Sequence, residues 1–491
     1  MILGIDQGTT STRAVLVDHE LQIRASAHAG HAQHTPHPGW VEHDAEELWA
    51  NTQRVIAEVL AGGERPEAIA IANQGETVLL WDARTGKPLQ RAIVWSDTRT
   101  ESALLELDAH RDMIRQTTGL TLDSYFSATK LRWLLDETAG ARDLAAKGYL
   151  RAGTVDTWLV DRLTQGEVFA TDASTAARTL LCETRDCTWS PPLLELFRIP
   201  RSILAEIRDS DGGFGTCLGG ALDGVPIAAS IVDQPAALLG HGCVDRGDVK
   251  ATFGTGCFVY ANSGTERPTG QGTLATVAWR RGGETTYALD GGVLSVGSAL
   301  DWAAALGLPI DDAALVTDGH PRAIEVGSAR MLGDGPVFVP ALAGLGAPHW
   351  DRGARAAWLG LTTATTPGQL VGAIAEGLAC RVVEVVRAIE RDAGVMVNTL
   401  RADGGLARSA PLMQRVADLL GAAVAIAAEE EATVVGACAL VALRAGTVNL
   451  DDLRQRRARS QAHYQPRITA DERGARIARF ERALALAGQW R

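Results

Sequence analysis

"GIDQGTTSTRAVLVD", residues 4–18, decides the reading of this chain. Two short apolar runs flank a turn of Gly8, Thr9, Thr10 and Ser11, and one acid, Asp6, stands at the end of the first run. A strand, turn and strand of this composition suit an anion held together with a metal ion. The turn offers backbone N–H groups and hydroxyls to phosphate oxygens, while the carboxylate can hold a hydrated divalent cation on its far side. An ordinary polar hairpin has the same local pattern, so a second signal is needed.

That signal lies in the second half. "DVKATFGTGCFVYAN", residues 248–262, is again strand, glycine-rich turn and strand, written in different residues. Around both hairpins the chain alternates strand-like and helix-like segments. "MILGID", "TRAVLVD" and "EAIAIANQ" read as strands, and "DAEELWANTQRVIAEVLAGG" as a helix with Asp44 and Glu47 at capping-box spacing, ending at Gly62. "GQLVGAIAEGLACRVVEVVRAIERDAG" places Leu370, Ile374, Leu378, Val385 and Ile389 at helical intervals between Pro367 and Gly394. Such alternation predicts an α/β fold of two layered domains facing each other across a cleft, 1–242 and 243–491, divided at the glycine-rich "LLGHGCVDRGD".

Length and composition agree with two globular domains: 491 residues, 46% hydrophobic and 22% charged. A formal net charge of -12 argues against a general nucleic-acid or membrane-surface role, because both need a basic face. The seven scattered cysteines never form C-x-x-C, as expected of reduced thiols in the cytoplasm. The opening residues lack the basic run and apolar core of a secretory signal, and no apolar stretch is long and unbroken enough to span a membrane. The tract from His28 to His43 holds five histidines, but its prolines fit an extended segment better than a metal cluster. Glu429, Glu430 and Glu431 read as a solvated helix start. Gly86-Lys87 is followed by Pro88 and lacks P-loop spacing, and G-x-G-x-x-G does not occur, so the two hairpins are the phosphate machinery.

At this level of detail the chain resembles the FGGY carbohydrate kinases, and among them the glycerol kinases most closely. The resemblance runs from Gly4 to about Ala439, through "GIDQGTTSTRAV", "PGWVEHD", "YFSATKLRWLLDE", "GTVDTWL", "VDQPAALLG", "FGTGCF", "GLGAPHWD", "LGLTTATTPGQLVGAIAEG" and "DGGLARSAPLMQ" in the family's order. It implies two actin-like, ribonuclease-H-like domains, each with a five-stranded mixed sheet, closing over ATP and a small polyhydroxy substrate. It also implies Asp6 on magnesium through water, with Asp233 the second acid at the metal. Thr9, Thr10, Ser11 and Arg13 would meet the nucleotide phosphates from one side and Gly254, Thr255 and Gly256 from the other. Gly297 would border the nucleotide, and Gly404 and Gly405 would approach adenosine.

Asp233 in "VDQP" matches the family's catalytic base, although an acid ahead of "QPAALLG" would also suit a helix cap. Glu76, Tyr125 and Gln234 match hydroxyl-binding groups, and Trp95 and Phe258 the apolar walls. Three positions depart from the family: Gly75 stands where glycerol kinases carry arginine, Asp301 where they carry glutamine, and Ser409 where they carry asparagine. The expected activity is ATP- and Mg-dependent phosphorylation of a primary hydroxyl of a small polyol, with glycerol to glycerol 3-phosphate the nearest reaction. Gly75 keeps open a longer polyol or ketose such as erythritol, xylitol or xylulose. An actin- or chaperone-like ATPase and a catalytically dead sensor stay open beside the kinase. A homodimer is compatible with the chain, whose sequence does not reveal its assembly.

Overall fold

The computed structural model describes residues 1–308, 310, 335–428 and 431–490. Its first half is built on a five-stranded sheet ordered Ile227–Val232, Ala68–Asn73, Ile2–Gln7, Ser11–Val17 and Ile23–Gly30. The central strand Ile2–Gln7 runs parallel to Ala68–Asn73 and antiparallel to Ser11–Val17, in a register that sets Asp6 opposite Arg13. Every residue of Ala68–Asn73 is buried, which is why this strand reads as an unbroken apolar run rather than an alternating one.

The second half repeats the plan. Val249–Phe253 pairs antiparallel with Cys257–Gly264 and parallel with Thr399–Asp403, as Ile2–Gln7 does with its neighbours. Here the expectation of five strands needs correcting, because this sheet has seven, in the order 274–281, 284–293, 257–264, 249–253, 399–403, 423–427 and 460–464. A tight hairpin at Gly282-Gly283 adds Leu274–Arg281 at one edge, and Ser460–Tyr464 pairs antiparallel with Ala423–Ala427 at the other.

Local signals hold at most predicted helix ends. Helix Pro367–Ala393 starts on a reciprocal capping box between Thr366 and Gln369 and stops at Gly394, whose φ of 63° is left-handed. Helix Ala45–Val59 is capped by Asp44, which accepts from the N–H groups of Glu46 and Glu47. The reciprocal half of the predicted box is replaced: the Glu47 carboxylate accepts instead from the N–H of Ala32.

Sequence order and spatial order diverge at helix Ala432–Ala445. It packs on the first sheet and crosses helix Asp233–Gly240 at backbone contact. A Cβ on Gly240 would come 1.9 Å from the Ala432 carbonyl oxygen, and one on Gly436 1.8 Å from that of Ala236. Only glycine permits so close a crossing. The two helices tie both sheets together behind the cleft.

The seven cysteines are all buried free thiols. Among the described residues no helix is long and apolar enough to cross a membrane.

Candidate active site

Asp6 is the penultimate residue of the central strand of the first sheet, and Asp233 opens the helix that follows Ile227–Val232, two strands away. Parallel strands deliver both acids to the same edge of the sheet. Burial first, and then the Asp233 charge, push the Asp6 carboxyl up to about 7 against the opposing pull of Arg13. Burial likewise raises Asp233, opposed mainly by Lys250. Two such hard oxygen donors, close together and under-compensated, fit a divalent cation that takes its remaining ligands from water and phosphate.

Asp233 is the first residue of its helix, with Val232 in the cap position, and its Oδ1 accepts from the N–H of Gln234 at 2.7 Å. The carboxylate therefore faces the helix N-terminus without capping its later N–H groups.

Beside Asp6, the turn is closed by the Gly8 N–H donating to the Ser11 carbonyl at 3.0 Å. Trp95 Nε1 donates to the Thr9 hydroxyl at 2.9 Å, and His31 Nε2 to the Thr9 carbonyl at 2.8 Å, which puts the imidazole proton on Nε2. The histidine tract thus buttresses the turn. Glu431 does stand at a helix start, as the N-cap residue of Ala432–Ala445, but it is part-buried and ion-paired with Arg13 rather than solvated; Glu429 and Glu430 lie outside the described residues.

In the turn of the second hairpin, Gly254 and Thr255 are exposed while Gly256 is buried. The N–H of Gly297 donates to the Gly254 carbonyl, and those of Val296 and Ser298 to Thr255, seating the start of helix Gly297–Ala305 on the turn. Gly404, at φ 87°, lies so close that a Cβ would meet the Phe253 carbonyl oxygen at 2.4 Å. Gly254, Thr255, Gly256, Gly297 and Gly404 are therefore one cluster, with Gly405 next in chain. Asp301 is exposed on its helix, whereas Ser409 is buried with its hydroxyl unpartnered.

On the remaining side, Trp95 meets Tyr125 edge-on at 5.4 Å and Phe258 at 6.4 Å between ring centres, so the two halves of the chain share one aromatic wall. Glu76 sits at the base of that wall in a left-handed conformation, φ 58°, its carbonyl accepting from Ser127 Oγ at 3.0 Å. Burial pushes its carboxyl up to about 7, opposed by Arg178.

Several groups here carry no sequence signal of their own. Lys130, fully buried, donates to the carbonyls of Trp95 at 3.1 Å, Tyr125 at 2.8 Å and Ser124, and burial lowers its ammonium to about 7. Lys250 reaches from the second sheet to the Gln234 side chain and to the Thr252 hydroxyl. Arg178 joins Glu76 to Asp290. Only the motif "YFSATK" points towards any of them. Arg99 turns away, bound to Asp97 and Glu42 and stacked 3.7 Å over Trp40.

Comparison with known proteins accounts for this arrangement. Residues 1–240 match the N-terminal domain, and residues 249–445 the C-terminal domain, of the FGGY family of carbohydrate kinases. The chain is similar to a glycerol kinase of Alkalilimnicola ehrlichii, 44% identical over 100% of this chain and 98% of that one. A glycerol kinase of Halorhodospira halophila is 42% identical, over 100% and 97%. Among solved structures it resembles a Plasmodium falciparum glycerol kinase with ADP, at a TM-score of 0.89 and 31% identity over 99% of this chain and 98% of that one. A xylulose kinase of Rhodospirillum rubrum shares the fold, with a TM-score of 0.83 at 24% identity over 99% of each chain. Matched over both halves in order, the chain belongs to the FGGY family of carbohydrate kinases.

Proposed function

We propose that the chain transfers the γ-phosphoryl group of ATP to a primary hydroxyl of glycerol, giving glycerol 3-phosphate. One observation supports this above all. Two buried carboxylates, Asp6 and Asp233, come to the same end of the first sheet, where the Asp233 charge helps raise Asp6, and the turn after Asp6 is bonded to Trp95 of the aromatic wall.

Phosphoryl transfer asks mainly for positioning and charge neutralisation, with a carboxylate taking the acceptor proton as the new bond forms. Asp233 is that base. Asp6, with Asp233 beside it, would hold magnesium, which when bound neutralises phosphate charge. Thr9, Thr10, Ser11 and Arg13 receive the phosphates from one side, and Gly254, Thr255 and Gly256 from the other. Arg13 exchanges Glu431 for a phosphate oxygen as it does so. Gly297, Asp301, Gly404, Gly405 and Ser409 border the nucleoside. Trp95 and Phe258 flank the carbon chain, and Glu76, Tyr125 and Gln234 bind hydroxyls. The hinge lies near residue 242, and seven buried thiols suit a reducing cytoplasm.

The test is a coupled ADP-release assay over glycerol, erythritol, xylitol and xylulose, with Mg-ATP. Acceptor-dependent ADP release strongest on glycerol supports the reading. ADP release that ignores every acceptor would instead make the chain an ATPase.

A further inference from the structure

The family's acceptor-site arginine is missing at Gly75, yet the structure brings another arginine beside that position. Arg178, whose side chain is 2% exposed, comes from the turn after the short helix Ala173–Ala176. Its Cγ would lie 4.0 Å from a Cβ built on Gly75. Its Nε donates to Glu76 Oε1 at 2.6 Å, and its carbon Cζ stands 5.3 and 5.8 Å from the ring centres of Phe126 and Tyr125.

One of its terminal donors is poorly aligned with its acceptor. Nη1 is buried without a hydrogen-bonded partner, although an Asp290 carboxylate oxygen stands 2.9 Å away. The contact is near enough for charge attraction but lies off the N–H axis. A buried donor in this condition costs free energy until something accepts from it. Glu76, Asp233 and Asp290 surround the same cation, so its charge is held in place rather than free to swing out.

Gly75 is also not an open floor. A Cβ there would come 3.1 Å from Cγ2 of Val232, the residue before Asp233. A side chain at position 75 would therefore start against a neighbouring methyl group. This works against the longer acceptors that the sequence left open.

We infer that Arg178 is a substrate-binding residue that donates from its terminal nitrogens to an acceptor hydroxyl in place of an arginine at position 75, and that Val232 closes the pocket to a three-carbon polyol. The inference rests on the polyol-kinase reading above.

The decisive variant is Arg178→Lys, which keeps the charge beside Glu76 but loses the fork of donors. Its KM for glycerol is expected to rise at least tenfold while its Kd for Mg-ATP stays within threefold of wild type. A glycerol KM within threefold of wild type overturns the inference. Should this variant fail to fold, Gly75→Arg with Val232→Ala decides the matter, because the second change removes the methyl that a side chain at 75 would meet. A pocket already served by Arg178 gains less than threefold in kcat/KM on glycerol from the added arginine; a gain of threefold or more overturns the inference. Wild type inactive on every polyol overturns the kinase reading and this inference with it, whereas an active wild type matched by Arg178→Lys overturns the inference alone. A wild type with higher kcat/KM on erythritol or xylitol than on glycerol overturns the role given to Val232.

Discussion

His241 Nε2 and Asp403 Oδ2 form a hydrogen bond that joins the end of helix Asp233–Gly240 to the end of strand Thr399–Asp403. The first element carries the proposed base and the second leads into Gly404, so this contact, with that of Lys250 to Gln234, links the two halves of the proposed site. Burial works to raise the Asp403 carboxyl, but His241, with Lys250 and the Thr252 hydroxyl, overcomes it and holds the group at about 2.

Removing the Asp403 charge takes from the buried Lys250 a carboxylate that faces it, and stripping one partner from a buried charge pair costs about 3–5 kcal/mol at fully buried sites. Asp403 keeps some solvent access, so Asp403→Asn is expected at the lower end, about 2–3 kcal/mol by urea unfolding. The variant should also bind Mg-ATP more weakly. Because the folded carboxyl titrates below its unfolded value, its contribution is full above about pH 4 and fades as pH falls towards 2. Equal acid sensitivity of variant and wild type would count against the assignment.

Asp233→Asn should lower kcat at least a thousandfold with Mg-ATP affinity within a few fold, since the amide keeps the shape but cannot take the proton. Isothermal titration and a coupled assay read the two effects separately. Retention of a tenth of wild-type turnover would remove Asp233 from the role of base. In the same assays Asp6→Ala should weaken Mg-ATP binding far more than acceptor binding.

Lys130 offers a pH test away from the metal site. The folded ammonium titrates near 7 and the unfolded one near 10.5, so the unfolded chain binds more protons throughout that window. Stability should therefore rise with pH from about 7 to 10.5, by at most about 1.4 kcal/mol per pH unit for one proton. Lys130→Met should flatten that slope in urea titrations at several pH values. It should also raise the acceptor KM, because the lysine fixes the carbonyls of Trp95 and Tyr125.

Gly436→Ala should destabilise the fold by roughly 1–3 kcal/mol or force the crossed helices apart, since its methyl would meet the Ala236 carbonyl. Gly474→Ala, where nothing lies within 4 Å of the new carbon, is the control and should be neutral or mildly stabilising. Thermal unfolding of the two variants side by side is sufficient.

Much of this molecule was legible in its sequence because the relevant forces act over short range. Asp6 at a strand end, the Gly8 to Ser11 turn, the Gly254 to Gly256 turn and the Pro367 to Gly394 helix are all set by neighbours within a few residues. The repeat of strand, turn and strand fixed the fold class for the same reason. The tertiary structure alone decided the rest. Whether Gly75 leaves a hole depends on Val232, far along the chain. Arg178, in "AARTLL", drew no reading from the sequence; only the fold encloses it between Glu76 and Asp290. Helix Ala432–Ala445 belongs by sequence to the second half but by packing to the first sheet, because Gly240 and Gly436 admit a backbone contact that no local pattern announces. Periodicity and turn chemistry report what a segment prefers; buried charge and steric contact depend on which distant segment arrives beside it.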